Sequence, residues 1–199
     1  MRVLKPGIEG GDVRKWQTFL VGQRLARFVP NGRFSFVSAP QPDNAEAIRI
    51  TDGWEAENIV KVAIPQLAGK RGVPSSGTVR FHRLAARQLQ DLFKAWSRAR
   101  VLDRVLSWEG SFVARFIRGS TTVLSNHAFG SAFDINAASN PLGAEPAFPG
   151  KTGCVYDLVS IAHDHGFYWG GHFAKRRDGM HFEVAEVESS FEPLPGNRP

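Results

Sequence analysis

Cysteine is almost absent from this chain: Cys154 is the single one among 199 residues. An intrachain disulfide is therefore impossible, and no Cys-x-x-Cys pair or zinc-finger spacing exists. Cys154 itself reads as a small buried side chain on a helix. No apolar run approaches the ~20 residues of a membrane helix, so membrane insertion is not expected. The first residues lack the basic-then-apolar layout of a secretory signal, because Pro6, Gly7, Glu9 and Asp12 interrupt it. Internal repeats and low-complexity tracts are also missing.

What is present suits a soluble globular chain. Hydrophobic residues make up 42%, with 15 Phe and 5 Trp, which predicts an aromatic-rich core. The length is enough for one ordinary domain, or one domain with a small appendage. Strand-like and helix-like segments do not alternate regularly, which predicts an α+β fold rather than a wound parallel sheet. The net charge of +6 favours a polyanionic partner, either nucleic acid or an anionic bacterial wall. The basic residues are scattered, with one short run at Lys175-Arg176-Arg177, and no nucleic-acid motif accompanies them. Charge alone does not decide between the two; taken with the two motifs that follow, it favours the wall, and no nucleic-acid partner is expected.

Two segments carry concentrated chemistry. One is Ser125-Asn126-His127-Ala128-Phe129-Gly130-Ser131-Ala132-Phe133-Asp134, and the other is Asp178-Gly179-Met180-His181. Together they supply two imidazoles and two carboxylates. Catalytic zinc takes three protein ligands and keeps a fourth position open. His127, Asp134 and His181 would fill the three places, leaving Asp178 as an acid–base group. Gly130 lets the chain turn between His127 and Asp134. Residues 131–136 alternate, with Phe133 and Ile135 apolar and Asp134 on the other side, which predicts a short strand. Residues 180–184 alternate too, placing Met180, Phe182 and Val184 toward the core and His181 and Glu183 toward the site.

The pattern Ser-x-His-x-x-Gly-x-Ala-x-Asp, followed by Asp-x-x-His, resembles the zinc D-alanyl-D-alanine carboxypeptidase and L-alanyl-D-glutamate endopeptidase family. These bacterial and phage enzymes cut peptidoglycan stem peptides. The flanks Arg115 to Ser120, Asn136, Asn140-Pro141-Leu142-Gly143 and Tyr168-Trp169-Gly170-Gly171 share the resemblance, which spans roughly Trp54 to Val184. It implies one zinc ion on His127, Asp134 and His181, with Asp178 as the catalytic acid–base. It also implies that Arg115 binds a substrate carbonyl or carboxylate, with Arg118 as the fallback. Ser125, Asn136 and Glu183 are candidates for orienting ligands. Trp169 either packs against substrate or serves the core.

Elsewhere, Asp12 is expected to cap a helix carrying Val13, Trp16 and Leu20. That stretch resembles the first helix of a peptidoglycan-binding module; the alternative is a helix packed on the main domain. Residues 34–43 read as extended chain or loop. Ile48 to Ile50 and Ile59 to Ile64 read as strands, with Trp54 in the core or at a cleft rim. Thr78 is expected to cap a helix whose apolar stripe runs from Phe81 to Trp96. His82 reads as structural. Val105 to Trp108 and Ser111 to Ile117 read as strands. Residues 137–150 form a loop at the cleft rim. A helix through Val155, Leu158, Val159 and Ala162 closes at Gly166, and His163 and His165 need no role beyond its end. Pro193 to Pro199 reads as a flexible tail.

The resulting expectation is an α+β fold: a small antiparallel sheet with flanking helices and a single zinc site. An N-terminal helical segment occupies 1–33 and the peptidase domain 34–199. The substrate is peptidoglycan stem peptide, the expected state is a monomer, and the setting is a phage or prophage lysis enzyme made in the cytoplasm and acting on the wall. The alternatives are a catalytically idle wall-binding protein and a basic nucleic-acid-binding domain.

Overall fold

The computed structural model describes residues 33–196. The helix expected after Asp12, like the rest of residues 1–32, lies outside the described residues. The described part is α+β, with three small antiparallel sheets and three α-helices. β1 (Phe36–Ser38) pairs with β2 (Ile48–Ile50). α1 (Trp54–Asn58) leads directly into β3 (Ile59–Ala63), which pairs with β4 (Thr78–His82). α2 (Ala86–Arg98) follows. The third sheet has the order β5-β6-β8-β7, from β5 (Trp108–Gly110), β6 (Ala132–Ile135), β7 (Phe167–Trp169) and β8 (His181–Val184). α3 (Tyr156–Asp164) precedes β7.

Side-chain alternation gives the third sheet two different faces. On the core face Phe133 stands opposite Phe182 across β6 and β8, and their rings stack at 5.4 Å. Trp108 stacks on the other side of Phe133 at 5.2 Å. α2 covers this stack with Leu89, Leu92, Phe93 and Trp96, all fully buried. Trp96 also ties α2 to α3, since its indole N–H donates to the Leu158 carbonyl. Fully burying one such side chain stabilises by about 1.5–3 kcal/mol, so this aromatic layer anchors the sheet. A second cluster holds Phe34, Ile48, Trp54, Ile59, Phe116 and Phe129, which places Trp54 in the core.

Several local expectations are corrected. Thr78 does not cap a helix: residues 78–82 form β4, and α2 begins only at Ala86. Val79 and Phe81 face inward with a strand's period, and pairing with β3 makes the choice. Ser111 to Ile117 is extended but not a ladder strand. Ala114 O accepts from Ile48, whereas the Phe116 and Ile117 amides go to Glu46 and Val123. Regular structure after Val105 begins at Trp108 rather than earlier. Cys154 is buried but precedes α3 instead of lying on a helix. The chain is still anchored at Leu194, whose amide donates to the Arg83 carbonyl and whose side chain packs on the core. α3 does close at Gly166, which has φ +70° and donates to the His163 carbonyl.

Candidate metal centre

His127 sits in a 3₁₀ turn, Asn126–Phe129, that Ser125 caps by accepting the His127 amide N–H. The turn stops at Gly130, with φ +63°. A Cβ there would lie 2.7 Å from Ile59 Cδ1 and 3.1 Å from the His82 amide nitrogen. Gly130 is therefore required twice, for its left-handed backbone and for close approach to β4. The chain then enters β6, and alternation turns Asp134 away from the aromatic stack. Cross-strand register sets Asp134 directly opposite His181 and Ala132 opposite Glu183.

This register and turn bring three ligand atoms together. Asp134 Oδ1 lies 2.9 Å from His181 Nδ1 and 3.2 Å from His127 Nε2. The two imidazole nitrogens are 3.2 Å apart. A tetrahedral zinc with bonds of about 2.0–2.1 Å keeps its ligand atoms roughly 3.3 Å from one another, so the spacing fits such an ion. His127, Asp134 and His181 are also the residues among those described whose donor atoms could jointly hold a metal ion.

The far side of each imidazole fixes which nitrogen can bind. His127 Nδ1 lies 2.9 Å from the Ser111 carbonyl, which can only accept, so Nδ1 carries the proton and Nε2 offers its lone pair. His181 Nε2 lies 2.9 Å from Glu183 Oε2 and donates to it, directing Nδ1 to the cluster. Asn126 Nδ2 donates to the same Glu183 oxygen at 2.6 Å. Orientation of a ligating histidine through its second nitrogen is a general feature of metal sites.

The charge balance follows from these contacts. Burial alone would lower the His181 pKa, but Asp134 and Glu183 outweigh it and push it up to about 10. Burial raises Asp134, and the two imidazoles outweigh that and hold it well below the carboxylate range. Asp134 and Glu183 thus favour the protonated His181, and its Nδ1 must give up that proton before it can bind a cation.

Asp178 stands in the turn entering β8. Its amide donates to the Gly170 carbonyl at 2.9 Å, and its carbonyl accepts from the His181 amide. Its Oδ1 is buried and bonds to none of the described residues. Burial raises its pKa, and Asp134 adds to the rise against the pull of His181. Asp178, His127, His181 and Glu183 line a cavity of ≈ 620 Å³ with Arg115. The Arg115 guanidinium is half-buried and donates to the Phe116 carbonyl. Burial and Arg118 lower its pKa, while Asp134 and Asp178 act to raise it.

Two sequence candidates stand away from the cavity. Asn136, with φ +56°, accepts from the amides of Leu106 and Ser107 and donates to the carbonyls of Arg104 and Gly153. It locks the loop after β6 and touches no member of the cluster. Trp169 is 1% exposed and donates to the Gly179 carbonyl, so it braces the turn next to Asp178 from the core side. Conversely, Ser111 and Asn126 were not singled out from sequence. Ser111 acts through a backbone carbonyl that no residue type announces. Asn126 occupies an unspecified place inside the first motif, and only folding sets it beside Glu183.

Residues 118–184 match the family model described as D-alanyl-D-alanine carboxypeptidase. That span contains His127, Asp134, Asp178 and His181, whereas Arg115 precedes it. No curated protein matches the chain. Over residues 118–184, which carry the three converging donor residues and Asp178, the chain is similar to the D-alanyl-D-alanine carboxypeptidase family.

Proposed function

We propose that this chain is a zinc-dependent peptidase that hydrolyses peptide bonds in peptidoglycan stem peptides. It would act as an L,D-endopeptidase or as a D-Ala-D-Ala carboxypeptidase, with residues 34–199 as the catalytic domain. The observation that carries the reading is the convergence of Asp134 Oδ1, His127 Nε2 and His181 Nδ1 at 2.9–3.2 Å, beside the unpartnered Asp178 oxygen. The family match adds the substrate class.

His127, Asp134 and His181 would hold the ion. Bound zinc supplies Lewis acidity, polarising a carbonyl oxygen and lowering the pKa of water toward ~7. Asp178 accepts the proton of the attacking water at its free Oδ1 and returns it to the leaving amine. Its raised pKa suits both halves of that exchange. Arg115 offers guanidinium N–H groups to a substrate oxygen, where charge develops. Glu183 and Asn126 hold the His181 ring in place. A cell-wall lysis enzyme is the biological setting that fits this chemistry.

Digestion of purified muropeptides by the zinc-loaded protein tests the reading. New amino termini or released D-Ala, identified by mass, are expected and define the bond. Intact muropeptides after prolonged incubation with fully loaded protein would refute it.

A further inference from the structure

The cavity wall beyond the metal cluster is strongly basic. Arg115, Arg118, Lys175 and Arg176 all line it. Two cations of this region are already neutralised: Arg118 by Glu46 at 2.8 Å, and neighbouring Arg177 by Glu145. Arg115 faces the charges of Asp134 and Asp178. Lys175 and Arg176 remain, and neither has an acidic partner among the described residues.

Arg176 is nevertheless held in place. Its Nη2 donates to the Arg118 carbonyl at 3.0 Å, tying together two walls of the cavity that are 58 residues apart in sequence. The loop carrying it is pinned immediately after Arg176, by Gly143 N–H to the Arg177 carbonyl at 2.7 Å and by Asp178 N–H to the Gly170 carbonyl at 2.9 Å. A guanidinium has five N–H donors, so one bond to a carbonyl leaves the rest of the fork for a ligand. Apolar side chains, Ile117, Leu124, Leu142 and Phe173, line the same cavity. An apolar cavity with two uncompensated cations, of which Arg176 is tethered, matches a peptide that carries an extra carboxylate.

We propose that Lys175 and Arg176 form an anion subsite that recognises a free carboxylate of the peptide substrate near the bond to be cut. This rests on the peptidase reading and extends it to substrate class: an acidic peptide rather than a neutral one. The chain itself limits the distance. Arg176 precedes Asp178 by two residues, so their Cα atoms are at most about 7 Å apart. The recognised carboxylate therefore belongs to a residue adjoining the scissile bond or one further along.

The test is a comparison of two synthetic stem pentapeptides, one with free carboxylates and one fully amidated. Their binding to the zinc-loaded protein is measured calorimetrically, with Asp178→Asn present to prevent turnover. An exposed ion pair contributes little on its own, so the two cations together predict a preference for the acid of roughly five- to tenfold at low salt, shrinking as salt rises. Adding Lys175→Gln and Arg176→Gln, both exposed positions, should reduce the preference by about fivefold. An undiminished preference would overturn the subsite. So would a short single-stranded oligonucleotide that competes as strongly as the acidic peptide, since that would reassign the cations to a general polyanion surface. Muropeptide digestion by the unsubstituted protein reports on the peptidase reading separately. Cleavage with an undiminished acid preference removes only the subsite, and a lost preference without cleavage removes only the hydrolysis.

Discussion

Glu183→Gln isolates what a positioning carboxylate contributes to the metal cluster. Glu183 Oε2 accepts two bonds, from His181 Nε2 at 2.9 Å and Asn126 Nδ2 at 2.6 Å, and the residue is 4% exposed. Glutamine keeps the size and one acceptor oxygen but loses the charge. A bond to a charged group is worth about 1.5–3 kcal/mol and a neutral one about 0.5–1.5, so two bonds together lose roughly 2–3 kcal/mol. That corresponds to ~30–150-fold weaker zinc binding, against the ~10–100-fold typical of residues that orient ligands. Proton competition reduces the observed loss. The His181 pKa stands at about 10 partly because of Glu183, so removing that charge makes the His181 proton easier to displace. The measured loss near pH 7 should therefore fall toward the tenfold end. Competition against a chromophoric chelator gives the affinity, and turnover per bound zinc should stay within a few-fold of the starting protein. Asp178→Asn should show the opposite pattern, with zinc retained and turnover down ~10²–10⁴-fold. If Glu183→Gln is zinc-loaded but inactive while Asp178→Asn turns over normally, Glu183 is the base and the roles assigned here are reversed.

Further expectations concern the cluster and its surroundings. His127→Ala or His181→Ala should abolish zinc retention and activity together, and full zinc content by atomic emission in either variant would reject the ligand assignment. Zinc affinity of the unsubstituted protein should rise ~tenfold per pH unit between pH 6 and 8, because His181 gives up one proton on binding; a flat profile would contradict the protonated His181. Arg115→Ala should keep zinc and melting temperature while losing turnover, and normal turnover would shift the role to Arg118. Burial, with Arg83 adding, depresses the His82 pKa from 6.5 to about 3, so the unfolded chain binds more protons across that window. The contribution is complete above pH ~6.5 and is lost as pH falls, by about 2 kcal/mol at pH 5. His82→Asn should flatten the acid decline of the melting temperature, and an unaltered decline would exclude His82 as its source.

Some of this was legible in the residues because it depends on short range. A turn ending in Gly130, followed by a strand, is written in local backbone preference and in the alternation of Phe133 and Ile135 with Asp134. The same alternation around Phe182 assigned His181 and Glu183 to one face. The end of α3 at Gly166 was readable for a similar reason, since a left-handed residue after a helical stripe is a local device. Local patterns were ambiguous where two periods overlapped. Val79 and Phe81 fit a strand, but Phe81, Leu84 and Ala85 also fit a helix. Only β3 beside residues 78–82 resolves the choice. Residues 111–117 alternate like a strand yet divide their backbone bonds among three different segments, so no ladder forms.

The sequence by itself determined which residue types could hold a metal, and it set the local geometry that presents each one. Tertiary structure alone decided their distances. Asp134 meets His181 because β6 and β8 pair in one register, and a shift of one residue would turn one of them into the aromatic stack. It also decided which imidazole nitrogen is free, through the Ser111 carbonyl and Glu183, and it moved Asn136 and Trp169 out of the cavity and into its supports. The physical reason is one of range. Backbone conformation is chosen by neighbours in sequence, whereas hydrogen-bond partners and burial are chosen by neighbours in space.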